Sequence, residues 1–580
     1  MNPIPDPRHA ASRGTVPRNT WRGIVAGLIT AAVALGIGQL VAGVSRPQGS
    51  PVAAVGGEAI DLTPLPVKNF AISAFGSHDK MALVIGVLVI LAIFSAWIGV
   101  LAMRRLGYGF AGLAVFGAIG LAAALNRPGA MAADALPTLA GVAAGALVLR
   151  SVVRAAHRAA PWVPAAQAVP PPGRDPWSGP DDRAGGPSEH QRGTLSAPGD
   201  DPADDVAAEP AGQARASGEP GPQGRPGSRG RRSFLTVSSV AVVAAGVSAL
   251  AGRSLAERST VAQARATVRL PRAAHRAAAL PAGTDFHIKG LSPFITPNGS
   301  FYRVDTALIL PEVPPRTWQL RIHGMVEREI TINFADLLRR PLIEDYITLC
   351  CVSNPVAGPY ISNAKWLGTS LASLLRTARP RRGADQLLCT SADGFTSGTP
   401  IATVLDGRDA MLAVGMNGTA LPVAHGFPVR MVVPGLYGYV SACKWLTDIN
   451  VTTYAAQTAY WSQRGWSRQA PIKTESRIDV PSGAVAAGRT AVAGEAWAQH
   501  KGIDAVHVRV DRGPWRQARL AAVPGIDTWR QWMWEWDATR GTHTIEARAT
   551  DATGYTQTAL QTGTVPNGAT GYPSITVNVS

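Results

Sequence analysis

The stretch that decides the fold of the C-terminal half is Tyr346-Ile-Thr-Leu-Cys-Cys-Val-Ser-Asn354. Its β-branched residues predict a short strand that ends on a thiol and opens into a loop. Because side chains alternate along a strand, Cys350 and Cys351 point to opposite sides, and at most one of them faces a cavity. The pair is therefore not a chelating Cys-x-x-Cys motif, and a single thiol at a rigid strand end is the candidate ligand.

The chain changes composition near residue 258. Its 580 residues carry four cysteines, a net charge of +16 and 46% hydrophobic residues, which predicts several structural units. The first part is rich in Ala, Gly, Val and Leu, whereas all four cysteines and most tryptophans follow it. We interpret this as a membrane region followed by a globular half.

Five apolar runs in the first part approach the ~20 residues that a helix needs to cross a bilayer. Buried helices of a soluble domain are the alternative, but such runs rarely recur so closely there. Residues 1–158 are therefore predicted to hold four transmembrane helices, and residues 231–253 a fifth. The runs cover residues 23–44, 81–103, 108–125, 133–153 and 234–252.

Arginines collect on one side of these spans, which predicts a cell-membrane protein with a cytoplasmic amino terminus and an extracytoplasmic C-terminal half. The five runs contain no histidine, so paired axial ligands for a membrane haem are missing and a separate electron-transfer partner is expected. The clustered arginines are Arg8, Arg13, Arg18, Arg22, Arg104, Arg105, Arg150, Arg154 and Arg158.

Two polar segments connect the predicted units. Residues 159–230 are rich in Pro, Gly, Ala, Asp and Arg without an apolar period, which predicts a disordered cytoplasmic linker. The following Arg231-Arg232-Ser-Phe-Leu resembles a twin-arginine export signal and equally suits a positive-inside anchor, and both interpretations stay open. Residues 254–285 are predicted to be a basic tether near the lipid surface.

The globular half opens with short elements. Residues 294–306 predict a loop followed by a strand, residues 318–324 a strand, and residues 365–375 a turn into a short helix. Asn417-Gly418 predicts a hairpin turn.

A basic set then follows, in which Arg430 offers a planar fork for phosphate and Lys444 a mobile point charge. Each residue alone is more often structural, but His425, Arg430 and Lys444 around a strand-end cysteine indicate a site for an anionic cofactor.

Four motifs together resemble the sulfite oxidase family of molybdopterin enzymes, over about residues 294–580. They are Thr348-Leu-Cys-Cys-Val-Ser-Asn354, Trp366-Leu-Gly368, His425-Gly-Phe-Pro-Val-Arg430 and Lys444-Trp-Leu446. The resemblance implies an α+β molybdopterin-binding domain at residues 286–469, and an immunoglobulin-like β-sandwich at residues 470–580 that could form a homodimer. It also implies molybdenum-molybdopterin as cofactor and two-electron oxygen-atom transfer as chemistry.

The resemblance assigns roles to particular residues. Cys351 matches the metal-ligating thiolate, whereas Cys389 and Cys443 are expected to be buried thiols. The positions that match those holding the pterin and its phosphate are Tyr302, Arg303, His425, Arg430 and Lys444. Further candidates beside the cofactor are Asn298, Gly438, Tyr439 and Ser441.

This chain departs from the family around the substrate. Pro355 and Val356 stand where sulfite-oxidising members place arginine, and Trp466 replaces an active-site tyrosine. A pocket lined by these residues and Tyr437 is less cationic and suits a neutral or larger sulfur or nitrogen oxide. Tyr437 and Trp466 therefore join Cys351 as candidate catalytic residues.

Two other functions compete with this one. A Cys351/His425 hydrolase needs its thiolate and imidazole in contact, and a non-catalytic binding protein could use the same fold. The expected partners are a small-molecule substrate, membrane lipid and the electron-transfer component, with no nucleic acid.

The C-terminal tryptophans have two interpretations, an interface patch or core packing. Core packing is favoured, because one alternating strand puts Trp532, Trp534 and Trp536 on a single face, with Trp529 nearby.

Overall fold

The computed structural model describes residues 20–45, 49–64, 67, 79–127, 130–158, 227–257 and 260–580. The chain divides into two units, one of Met1–Val153 with Ser238–Ser580 and the other of Arg154–Val237. The described part of the second unit is helical throughout. Residues 159–226 of the predicted linker lie outside the described residues.

The N-terminal part consists of helices. Within the residues that the structure describes, four apolar segments are long enough to cross a membrane, namely Thr20–Val44, Met81–Arg104, Leu106–Leu125 and Ala132–Arg158, at the positions where the sequence predicts the first four spans. A helix also lies at the position of the fifth predicted span, and its apolar part, Leu235–Ala251, is shorter. The helices are α1 (Thr20–Val44), α2 (Pro51–Leu62), α3 (Asp79–Arg104), α4 (Leu106–Leu125), α5 (Leu136–Arg158, after a 3-10 turn at Ala132–Ala135), α6 (Gly227–Glu257) and α7 (Thr260–Thr267).

Glycines allow α1 and α3 to pack backbone against backbone. A Cβ on Gly27 would lie 1.9 Å from the Ser95 carbonyl oxygen, and one on Gly99 would lie 2.1 Å from that of Gly23. Small residues at helix contacts are typical of membrane bundles, where close approach supplies the packing energy.

The first part of the globular half contains two sheets. The first has the order β2-β1-β10-β5-β6, and the second has the order β3-β4-β7-β8 with β9 also paired to β7. Their strands are β1 (Gln319–Gly324), β2 (Ile330–Asn333), β3 (Leu342–Cys350), β4 (Ile361–Ser370), β5 (Gln386–Ser391), β6 (Thr396–Pro400), β7 (Met411–Met416), β8 (Thr419–Ala420), β9 (Arg430–Val432) and β10 (Leu446–Thr452). Four short helices accompany them, α8 (Phe334–Arg339), α9 (Leu371–Ala378), α10 (Ile401–Leu405) and α11 (Gly438–Ser441).

Local predictions in this half are confirmed at four places and wrong at two. The strand at 318–324 is β1, the central stretch lies on β3, and the Asn417-Gly418 pair joins β7 to β8 with both residues at positive φ. The short helix predicted within residues 365–375 is α9, whereas the turn predicted before it belongs to β4, because residues 361–369 pair along the whole length of β3. Residues 301–306 form no strand, since the Tyr302 amide bonds to the Ser362 hydroxyl instead of a neighbouring backbone.

The last part of the chain holds two four-stranded antiparallel sheets that share one apolar core. Trp532 and Trp536 are buried in that core, and Trp534 packs against it. Trp529 lies in the larger apolar cluster around the two preceding sheets, which we call the main core. The prediction of core packing is therefore confirmed. The strands are β11 (Glu475–Val480), β12 (Gly488–Trp497), β13 (Ile503–Val510), β14 (Arg516–Gln517), β15 (Arg519–Leu520), β16 (Arg530–Ala538), β17 (Gly541–Asp551) and β18 (Ser574–Val579).

The predicted tether is packed onto the first part of the globular half. Val261 of α7 is buried, and Arg265 donates from two nitrogens to the carbonyls of Ala420 and Leu421, each at 2.7 Å. Further along, the Ala274 amide donates to the Leu342 carbonyl at 2.8 Å, beside the start of β3. We call residues 260–285 the strap.

Candidate active site

The central cysteines have different surroundings. β3 ends on Cys350, which is fully buried in the main core, and Cys351 opens the following loop. The loop is closed by the Cys351 amide, which donates to the Tyr360 carbonyl at 2.9 Å, and by the Tyr360 amide, which donates to Asn354 Oδ1 at 2.8 Å. The Sγ of Cys351 lies 3.0 Å from the Ser353 hydroxyl. The thiol is therefore fixed at the base of a closed loop.

Burial raises the pKa of the Cys351 thiol, and the Ser353 hydrogen bond and the Lys444 ammonium oppose that shift. Without a metal the sulfur keeps its proton at neutral pH, whereas metal coordination replaces the proton. A thiol that is buried, and still under the field of a cation, is suited to bind a metal as the thiolate.

Arg430 of β9 is a buried guanidinium, 4% exposed. Its Nη atoms donate to the carbonyls of His425 and Ala442, both at 3.3 Å, and its Cζ lies 5.0 Å from the centre of the Trp366 ring. Its Nε has no hydrogen-bond partner, and no described carboxylate forms an ion pair with it. Burial lowers the pKa of Arg430 to about 10. A buried cation without a counter-ion indicates a place for an anion.

His425 lies beside Arg430 because the chain turns sharply between them. Gly426 has a φ of 105°, and a Cβ there would lie 2.9 Å from that of Arg430 and 3.2 Å from the Lys444 backbone. The Nε2 of His425 donates to the Asn298 carbonyl at 3.1 Å. Burial, and then the Arg430 charge, lower the pKa of His425 to about 4, so the imidazole is neutral at pH 7.

Lys444 lies near Arg430 and Arg303, and we call these three residues the cationic group. Its Nζ donates to Asp305 at 2.9 Å, and Asp305 also lies 3.4 Å from the Nε of Arg303. Burial lowers the pKa of Lys444 to about 8, and the Asp305 carboxylate limits that shift. Arg303 itself is half exposed. One carboxylate thus faces two cations, so the group keeps a positive charge.

Tyr302 closes another side of the group. Its ring stacks on Phe301 at 5.5 Å, and its hydroxyl lies 3.4 Å from where a Cβ on Gly438 would be. Burial raises the pKa of Tyr302, and the neighbouring Cys351 and Cys350 thiols act in the same direction. Tyr302, Gly438 and the central cysteines are therefore close in space.

Three further predicted cofactor residues use their side chains elsewhere. Asn298 is bonded to the β7–β8 hairpin, where its Oδ1 accepts from Asn417 at 2.8 Å. The hydroxyl of Tyr439 donates to the Ser467 carbonyl at 2.5 Å, and that of Ser441 donates to the Leu436 carbonyl at 2.9 Å. These residues can approach a ligand mainly through their backbone.

The predicted pocket residues are spread over several environments. Pro355 is exposed and Val356 half-buried in the loop after Cys351. Tyr437 is 1% exposed and belongs to the main core, with its hydroxyl 3.5 Å from the Lys473 amide. Trp466 packs on Tyr439, with ring centres 6.1 Å apart. The catalytic roles of Tyr437 and Trp466 stay predictions.

Sequence reasoning missed the polar partners of the site. Ser353 lies within the central stretch and Asp305 within residues 294–306, but neither residue type at these positions predicts a role in the site. Asp393, a mostly buried carboxyl near Lys444, was not noticed. The signal for Ser353 was its spacing from Cys351, whereas Asp305 and Lys444 meet only through the fold.

The donor set fits a metal that brings its own ligands. In the described part of the chain no group of three or more His, Cys, Asp or Glu side chains could hold a metal ion, so Cys351 contributes a single donor. The four cysteines are free and buried, as expected for Cys389 and Cys443.

The hydrolase alternative lacks its pair. Cys351 Sγ contacts Ser353 and His425 contacts Asn298, and no hydrogen bond joins the two side chains among the described residues.

Comparisons with known proteins show what this part of the chain is similar to. Residues 307–461 match the family described as oxidoreductase molybdopterin binding domain. Sulfite oxidase of Gallus gallus is 32% identical over 296 residues, which cover 42% of this chain and 63% of that protein. The NADPH nitrate reductase of Fusarium oxysporum is 33% identical over 169 residues, which cover 25% of this chain and 18% of that protein.

Among solved structures, the sulfane dehydrogenase SoxCD from Paracoccus pantotrophus is 25% identical, over 46% of this chain and 74% of that chain, with a TM-score of 0.41. The chain spans less than two thirds of the length of the two curated relatives named above.

Proposed function

We propose that the C-terminal half, in which residues 307–461 match the oxidoreductase molybdopterin binding domain, is a molybdopterin oxidoreductase of the sulfite oxidase type. In this proposal it performs two-electron oxygen-atom transfer on a small sulfur or nitrogen oxide. The observation that carries this proposal is the buried, unpaired guanidinium of Arg430 in a cationic group beside the Cys351 thiol. The comparisons imply molybdenum-molybdopterin as the cofactor, and that arrangement suits a metal complex with an anionic tail.

In this proposal Arg430 and Lys444 bind the anionic part of the cofactor and His425 its pterin, with Tyr302 and Arg303 at its edge. His425 is neutral at pH 7 and its Nε2–H donates to the Asn298 carbonyl, so its Nδ1 is left as an acceptor for a donor group of the pterin. Lys444 exchanges part of its contact with Asp305 for the ligand. Cys351 supplies the thiolate to the metal. When bound, the cofactor provides a two-electron change coupled to oxygen-atom transfer, while the protein orients it and excludes water.

The substrate class follows from what surrounds the loop after Cys351. Pro355 and Val356 bring no charge, so that side of the site gives an oxyanion little to bind. Relatives that the chain resembles are named for sulfite and for nitrate. A sulfoxide or N-oxide is therefore our preferred substrate class, with sulfite as the comparison compound.

The surroundings of the enzyme are also proposed. The four apolar helices support a membrane anchor in contact with lipid, with the catalytic half outside the cytoplasm. Electrons pass to or from a separate partner. The two four-stranded sheets of the C-terminal part support an immunoglobulin-like domain. A homodimer formed through this domain is proposed on the family resemblance alone.

The decisive experiment compares two neighbouring thiols. Full-length protein is purified in detergent and analysed for molybdenum and pterin, and the variants Cys351→Ser and Cys350→Ser are assayed with dimethyl sulfoxide, trimethylamine N-oxide and sulfite, using an artificial electron carrier. We expect Cys351→Ser to abolish turnover and Cys350→Ser to keep much of it. Equal activity in the two variants would refute Cys351 as the metal ligand, and a wild-type protein without molybdenum would refute the function.

A further inference from the structure

An arginine from the C-terminal part reaches the loop that carries Cys351. Arg477 lies on β11, and its Nη1 donates to the Gly358 carbonyl at 3.2 Å. Gly358 belongs to the loop closed by Cys351, Asn354 and Tyr360. A Cβ on Gly358 would lie 2.5 Å from both Asn354 Oδ1 and Pro355 Cδ, so the loop is tightly packed there. A displacement of Gly358 is therefore transmitted along the loop.

Arg477 is itself held rigidly. Its Nε donates to Asp479 at 2.6 Å, and its Nη2 donates to Glu495 and to the Ser292 hydroxyl, both at 3.0 Å. Glu495 faces Arg477 across the β11–β12 pair and is fully buried. A guanidinium with a carboxylate on two sides cannot change its rotamer without leaving a charge unpaired. Its remaining donor thus fixes the position of the Gly358 carbonyl.

The C-terminal part also holds the chain before Cys351. The Thr348 amide donates to the Asp527 carbonyl at 3.0 Å, and the Thr348 carbonyl accepts from Gln499 at 3.2 Å. The Trp529 amide donates to the Thr348 hydroxyl at 2.8 Å. Both sides of Cys351 are therefore bound to this part of the protein, β3 at Thr348 and the loop at Gly358.

We propose that Arg477 is a positioning residue that acts through Gly358 to hold the Cys351 loop in its working shape. The inference rests on the proposed function, in which this loop presents the thiol to the metal and Pro355 and Val356 to the substrate. Among the described residues, no hydrogen bond or ion pair joins Arg477 to the residues of the cofactor group or to the predicted pocket residues. The C-terminal part is then a support for the active site in addition to any role in dimer formation.

The test measures thiol reactivity in the full-length chain prepared without cofactor, in detergent. In the main variant Arg477→Met, Asp479→Asn and Glu495→Gln are combined, so that the Gly358 contact is lost and no buried charge is left unpaired. Iodoacetamide labelling is followed at each cysteine by mass spectrometry. We expect labelling of Cys351 to become roughly tenfold faster, the effect of losing one charge-assisted hydrogen bond, while Cys389 and Cys443 keep their rates.

A second variant and a control separate positioning from general stability. Arg477→Lys keeps the charge but loses the planar fork, and should give a smaller selective increase at Cys351. Arg509→Met removes a half-buried pair with Glu546 in the same part of the chain and should change no rate. A parallel rise at Cys389 and Cys443, or an unchanged rate at Cys351, would overturn the proposal. A wild-type protein that binds no molybdenum would refute the function and leave this result standing.

Discussion

Two buried arginines of this chain have opposite surroundings. Arg477 has carboxylates at 2.6 and 3.0 Å, from Asp479 and Glu495, whereas Arg430 has only two backbone carbonyls at 3.3 Å and an aromatic ring. Both lose their hydration on folding, and each must recover that free energy from new contacts. Arg477 does so within the protein, whereas no carboxylate among the described residues pairs with Arg430. The difference separates an arginine that stabilises the fold from one that we propose binds an anionic ligand.

The largest expected effect is the loss of stability when Arg477, which is paired within the protein, is replaced. Arg477→Met leaves the Asp479 carboxylate buried without its counter-charge and removes a hydrogen-bond donor from Glu495, so we expect a loss of about 3–5 kcal/mol in the free energy of unfolding. Urea unfolding of the cofactor-free protein in detergent, followed by tryptophan fluorescence, measures it. The matched control Arg509→Met should lose less than about 1 kcal/mol. Equal losses in the two variants would break the comparison.

The unpaired arginine should behave in the reverse way. Arg430→Met removes the cation that we propose binds the anionic part of the cofactor. We therefore expect cofactor content to fall by roughly 10–100-fold, as for the loss of charge-assisted hydrogen bonds. The cofactor-free protein should be as stable as the wild type or more so, because an uncompensated buried charge is gone. Molybdenum and released pterin are measured beside the unfolding curve. A variant that keeps its cofactor while losing stability would place Arg430 with Arg477.

A buried acid extends the comparison, since a carboxyl group can avoid the cost of an unpaired buried charge by keeping its proton. Glu475 is 4% exposed with an unpartnered Oε1, and burial raises its pKa from 4.5 to about 8. Between these values the folded chain binds the proton more tightly than the unfolded chain, so this group's stabilising contribution falls as pH rises.

Glu475→Gln should therefore flatten the pH dependence of the thermal midpoint between pH 5 and 8, and raise the midpoint at pH 8 by a few degrees. Identical profiles for variant and wild type would show that Glu475 is ionised in the fold.

The sequence predicted those parts of the structure that depend on neighbours in the chain. Asn417-Gly418 forms its hairpin because both residues adopt positive φ, and β3 forms around β-branched residues. β4 was missed because its pairing with β3 decides it, and Lys365 opens a stretch whose residues alone favour a turn. Residues 301–306 have strand-forming side chains but find no strand to pair with.

The same distinction applies to the site. Arg430, Lys444 and Cys351 were identified by residue type and by family resemblance, and the structure brings them together. Their partners were not, because Asp305 meets Lys444 and Arg477 meets Gly358 only after more than 100 intervening residues fold between them. A carboxylate that pairs with a cation over that separation leaves no local pattern in the sequence.

The strap has a practical consequence for preparing a soluble form of the enzyme. A truncated protein that begins at residue 286, where the sequence places the domain boundary, would remove Val261 from an apolar pocket and the Arg265 nitrogens from the carbonyls of Ala420 and Leu421. It would also uncover the edge of β3, which leads at its far end into the loop that opens with Cys351. Cleavage should therefore be engineered ahead of Thr260, so that the released half keeps the segment that closes its sheet.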